Sequence, residues 1–231
     1  PKDADALLLF AQVEEKEKNW RNAVLLYQKV VGLVPDHTGA LIMLGKYYLE
    51  ARLTSEVVST ADTVLAKDPN HPQANALKIA VLAVEGKIPE AMAKAETLRS
   101  QFPAEPDVAI LLATLYSQQQ RYRDAQATLQ RALDAHPKDM DLLNNLDMIL
   151  VQAKDMVAAE MVARRMIEVE PTIFDHRLRL AQFFNVQGSP EKAEKVLREA
   201  IVLDPNSEER RLLLADLFSA REDYPAAERA L

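Results

Sequence analysis

The chain has 231 residues, is 48% hydrophobic and contains only 5 glycines, a composition that suits packed helices and excludes a disordered polymer. Its 28 Lys and Arg against 35 Asp and Glu give a net charge of -7, which disfavours a nucleic-acid backbone or an anionic membrane as the main partner. The absence of cysteine excludes disulfides and thiolate metal sites, and no apolar run approaches the roughly 18 residues that a membrane span needs.

Self-similarity is the main signal. Prolines stand at Pro35, Pro69, Pro103, Pro137, Pro171 and Pro205, each 34 residues from the next. A second ladder, Ala23, Val57, Ala91, Ala125, Ala159, Ala193 and Ala227, keeps the same step with one substitution. A 34-residue period marks a helix-turn-helix solenoid, in which each unit buries its apolar face only against its neighbours. With the proline at position 32, repeats fall at about 4–37, 38–71, 72–105, 106–139, 140–173 and 174–207, with an incomplete one at 208–231, all in one array.

In the first repeat ALLLFAQVEEK reads as helix A, Asn19 as the N-cap and WRNAVLLYQKVVGLV as helix B, which Pro35 ends by restricting Val34. The second repeat carries Leu41, Leu44, Gly45, Tyr48 and Pro69 in phase. The third departs, with Asn75 and Lys78 at usually apolar positions. The fourth fits well, although position 4 has shrunk to Ala109. In the fifth, Asp147 stands at position 8, where other units have Ala11, Gly45, Ala113, Ala181 or Ala215 so that the two helices can approach. A carboxylate there needs a partner if buried, and Lys154, Arg164 or Arg165 is expected to supply it. Position 17, Trp20 in the first unit and Tyr224 in the seventh, is read as a wedge into the neighbouring repeat.

In these phased positions the chain resembles tetratricopeptide repeat (TPR) proteins over essentially its full length. The segment LAQFFNVQGSPEKAEKVLREAIVLDPNSEERRLLLADLF is similar to long bacterial arrays, some of them in envelope lipoproteins of export or polysaccharide-secretion systems. The resemblance implies an all-α, right-handed superhelical solenoid of antiparallel helix pairs. It further implies that helix A positions 2, 5, 6, 9, 12 and 13 line a concave groove. Mapped here, the apolar half of the groove is Ile42, Met43, Lys46, Leu49, Ala76, Leu77, Ala80, Val84, Ile110, Leu111 and Thr114. The amide-rich half is Asn144, Asn145, Met148, Gln152, Arg179, Gln182 and Asn185. Such a surface suits an amphipathic helix or an extended peptide, since Asn and Gln amides can pair with a peptide backbone. The carboxylate clamp by which some relatives hold chaperone C-termini is matched only by Asn145 and Arg179, with Ile110, Thr114 and Asp175 in its other places, which argues against that ligand.

No phosphate loop, zinc-protease motif or nucleophile elbow occurs, so the expectation is a non-catalytic protein-interaction scaffold without cofactor or metal. His37, His71, His136 and His176 are read as solvated turn residues. The alternatives are a structural spacer in a longer bacterial envelope array, which favours the envelope over the cytoplasm, and a regulatory domain fused to an enzyme. The chain starts without Met and stops inside a helical pattern, so it reads as a piece of a longer protein. Leu212, Leu213, Leu217 and Phe218 are expected to be exposed in the open seventh repeat and to permit self-association.

Overall fold

A computed structural model describes residues 3–231. Within them are fourteen helices and no strand. They divide into two compact units, one ending at His136 and one beginning at Pro137. The first holds α1 (Ala4–Lys16), α2 (Trp20–Leu33), α3 (Thr38–Glu50), α4 (Thr54–Leu65), α5 (Pro72–Val84), α6 (Ile88–Gln101), α7 (Pro106–Gln118) and α8 (Tyr122–Ala135). The second holds α9 (Met140–Gln152), α10 (Met156–Val169), α11 (Phe174–Val186), α12 (Pro190–Leu203), α13 (Glu208–Ser219) and α14 (Tyr224–Ala230). The result is an all-α solenoid of helix pairs, and every A helix opens at the first residue of a predicted repeat.

The Ala ladder sits where each B helix meets its A helix. Ala23, Val57, Ala91, Ala125 and Ala159 have no solvent exposure at all. The facing position 8 is equally tight. A Cβ on Gly45 would lie 2.5 Å from Leu77 Cδ1 and 3.1 Å from Thr60 Oγ1, so the absent side chain is what lets Leu77 of the next repeat fill the seam. The third repeat breaks this rule with Ile79 at the same position. Between α5 and α6 the packing opens into a space of about 600 Å³ lined by Asn75, Lys78, Ile79, Leu82 and Leu98, among others. Lys78 turns out to Asp62 at 2.7 Å, and the Asn75 amide donates to the Pro69 carbonyl at 3.1 Å, so neither fills the core.

Each A helix ends in the same device. The N–H of position 16 donates to the carbonyl of position 11, as from Leu53 to Tyr48 at 2.8 Å, and that of position 15 to position 12, as from Arg52 to Leu49 at 3.0 Å. This is the Schellman arrangement, and it puts position 15 in the left-handed region in every repeat. Only Gly86 and Gly188 are glycines; Lys18, Arg52, Gln120, Lys154 and Glu222 hold φ of 58 to 61° with a side chain.

Several expectations are corrected. Asn19 occupies the N-cap of α2, but its side chain makes no capping bond. Trp20 and Tyr224 remain 51% and 62% exposed, so neither wedges into a neighbouring repeat; the Trp20 ring lies 6.3 Å from that of Tyr47. His37 and His71 are N-caps whose Nδ1 atoms accept from Ala40 N at 3.1 Å and Ala74 N at 3.4 Å. His176 is a buried helix residue, 3.0 Å from Glu170. In the seventh repeat Leu217 and Phe218 are buried, because α14 packs on α13, while Leu212 stays 45% exposed and Leu213 partly covered.

Candidate partner-binding face

In the first unit, A helices lie side by side, α3 on α5 and α5 on α7. Their sequence-predicted groove residues separate into two layers. Ile42, Ala76 and Leu77 are 3 to 5% exposed and belong to the core between A helices, so they cannot touch a partner. Met43, Lys46, Leu49, Ala80, Ile110 and Leu111 are partly exposed, and Val84 and Thr114 are exposed. Of these, Leu49, Ala80, Val84, Leu111 and Thr114 come together around one depression of about 270 Å³. Its wall is completed by Arg52, Ala83, Leu115 and Gln118, residues that sequence reasoning did not place there. The left-handed φ that positions Arg52 has no glycine to announce it, which is why that residue was not legible.

Polar contacts fix the opposite, N-terminal edge of the same helices. Lys46 on α3 pairs with Asp107 on α7 at 2.7 Å, and the Gln73 amide on α5 donates to the same carboxylate. Lys46 is therefore a strut across three repeats and not a free groove cation. Burial, and then the neighbouring Asp107, push the Glu105 carboxyl above its usual range, with His136, Lys46 and His71 pulling the other way.

In the second unit the expected amide-rich surface is exposed at Asn144, Met148, Gln152, Gln182 and Asn185, and half covered at Asn145 and Arg179. The Asn145 amide donates to the Asp141 carbonyl at 2.8 Å. Arg179 is also the answer to Asp147. That carboxylate is fully buried, and its ion-pair partner is Arg179 Nη2 on α11, not Lys154, Arg164 or Arg165. Arg164 instead pairs with Glu160 and Arg165 bonds the Pro137 carbonyl. Burial drives the Asp147 carboxyl up, against the downward pull of Arg179.

Among the described residues no three His, Asp or Glu side chains gather so as to hold a metal ion, and no helix is long and apolar enough to cross a membrane. What the surface offers is a row of half-exposed aliphatic groups on parallel helices.

The family profile of the Psidin N-terminal TPR repeats region matches residues 47–174, more than half of the chain, and a tetratricopeptide repeat profile matches residues 174–217. The chain is a tetratricopeptide repeat protein. TPR proteins are in general non-catalytic, and the family points to a scaffold for protein–protein interaction. Among solved structures it is similar to PilF of Pseudomonas aeruginosa, with 19% identity, a TM-score of 0.60 and coverage of 84% of this chain and 88% of that one. It is also similar to a TPR protein of Thermus thermophilus, TTC0263, with 14% identity, a TM-score of 0.57 and coverage of 94% and 100%. A third likeness is to a chain of the Naa15/Naa10 complex bound to HypK-THB, with 20% identity and a TM-score of 0.57; the match covers 84% of this chain but only 30% of that one. At such identities these likenesses show the TPR fold alone. No curated protein matches the sequence.

Proposed function

We propose that this TPR protein is a non-catalytic scaffold that holds a peptide or helix of a protein partner along the face lined by its A helices. The observation that carries this reading is the depression on α3, α5 and α7, where Val84 is exposed and Leu49, Ala80 and Leu111 are partly exposed on one helical surface. The net charge of -7 supports a protein partner over a nucleic acid. The seven repeats are read as one array, because the 34-residue register passes from His136 to Pro137 without a slip.

Capture from native lysate tests the reading, with a photo-crosslinking residue placed at Thr114 on the face or at Ala127 on the outer helix α8. The expected result is a protein crosslinked from position 114 but not from 127, and lost when Val84 and Leu111 are both changed to Lys without loss of helicity. Equal retention by wild type and double variant would overturn the assignment of this face. It would favour the other reading, a structural segment of a longer bacterial envelope array.

A further inference from the structure

We infer that the depression on α3, α5 and α7 selects a partner segment bearing an aliphatic side chain next to a carboxylate, the carboxylate pairing with Arg52. This rests on the reading of that face as the partner site and adds what the partner must look like. The space, about 270 Å³, is smaller than the roughly 300–1,000 Å³ of ordinary small-molecule pockets, so it suits side chains of a docked segment better than a cofactor. Its floor is aliphatic, from Leu49, Ala80, Val84, Leu111 and Leu115.

Charge is one-sided there. Arg52 is the only ionic group in the lining, and no acidic side chain joins it. Arg52 also makes no ion pair among the described residues, whereas Lys46 on α3 is held by Asp107 and Lys78 on α5 by Asp62, each at 2.7 Å. The backbone beneath the guanidinium is fixed, by bonds from Arg52 N to Leu49 O at 3.0 Å and from Leu53 N to Tyr48 O at 2.8 Å, so the cation is presented from a rigid base. The C-terminal ends of the same helices add roughly half a negative charge each, spread and solvent-screened, which a full guanidinium charge in bidentate contact outweighs. Gln118, on α7, brings an amide that bonds no other group among the described residues and is free for a partner's backbone.

The test is selection of a random peptide library displayed on phage against the full chain, followed by affinity measurement of the enriched peptides. Three variants are compared with wild type: Arg52→Glu, and the groove-blocking Ala80→Trp and Leu111→Lys, each checked for helicity and melting. The expected wild-type pool couples Leu, Ile or Val to Asp or Glu. Arg52→Glu is expected to weaken its best member by about tenfold or more, the scale of a charge-assisted contact, and to enrich Lys or Arg in a pool of its own. Both blocking variants are expected to abolish binding. Peptides that need an open groove but show no acidic bias, and bind Arg52→Glu within about twofold of wild type, would overturn this inference and leave the groove reading standing. Peptides that bind the blocked variants as well as wild type, or a library that yields no groove-dependent peptide, would overturn both.

Discussion

Asp147 is buried with a single cationic partner, and the two members of that pair are not equivalent. Asp147 is inaccessible, whereas the Arg179 side chain is 42% exposed and can be rehydrated alone. Removing the cation strands a buried carboxylate, so Arg179→Ala is expected to destabilise the second unit by about 3 kcal/mol. Asp147→Ala restores the small residue of the other repeats and leaves only a solvated Arg, so its cost is expected to stay below about 1 kcal/mol. Urea unfolding of both variants checks the asymmetry; equal losses would contradict it. The pH dependence follows from the raised carboxyl. Above the ordinary Asp value the folded chain holds a proton that the unfolded chain has released, so this group's contribution to stability falls as pH rises from there through its folded value. The melting temperature of Asp147→Asn relative to wild type should therefore climb over that interval, and a constant difference would contradict the assignment. Sequence made Asp147 visible, because it interrupts a ladder of small residues. Its partner was not visible, since Arg179 lies in the next repeat and a spacing rule within one repeat does not reach it.

Helix pairs are set by what position 8 leaves out. Gly45 and Gly32 are both helical glycines in the first unit, with opposite surroundings. A methyl group on Gly32 would meet nothing within 4 Å, so Gly32→Ala is expected to stabilise by about 0.5–1 kcal/mol through helix propensity alone. Gly45→Ala gains the same propensity but pushes Leu77 out of its seat, and a net loss of about 1–2 kcal/mol is expected. Thermal unfolding of the two variants in opposite directions checks this. The helices and their boundaries were legible because proline and alanine recur in phase with the A–B packing. The inner and outer layers of the proposed groove were not: Ile42 and Leu77 obey the same positional rule as Met43 and Ile110, yet the closeness of successive A helices buries the first two. The rule states which way a side chain points, and neighbour spacing decides whether solvent reaches it.

Because the repeats pack helix on helix only with their neighbours, and the Lys46–Asp107 pair is a single polar reach beyond them, the whole molecule should not respond as one cooperative block. Gly45→Ala is expected to raise amide exchange in α3, α4 and α5 and to leave α11 and α12 unchanged; a uniform rise along the chain would contradict nearest-neighbour stability. The family and the solenoid of helix pairs were thus readable from periodicity, which repeats one local solution many times. The proposed selectivity was not, because it rests on places where the repeats differ. The left-handed residue after each A helix is the clearest of these. Its backbone is dictated by two hydrogen bonds that no side chain makes, and Lys, Arg, Gln, Glu and Gly all occupy it at nearly the same φ. The slot is decoupled from the core, so a lineage could rewrite which charge it displays without renegotiating the packing. Recognition on this scaffold would then evolve at its hinges, while the helices stay as they are.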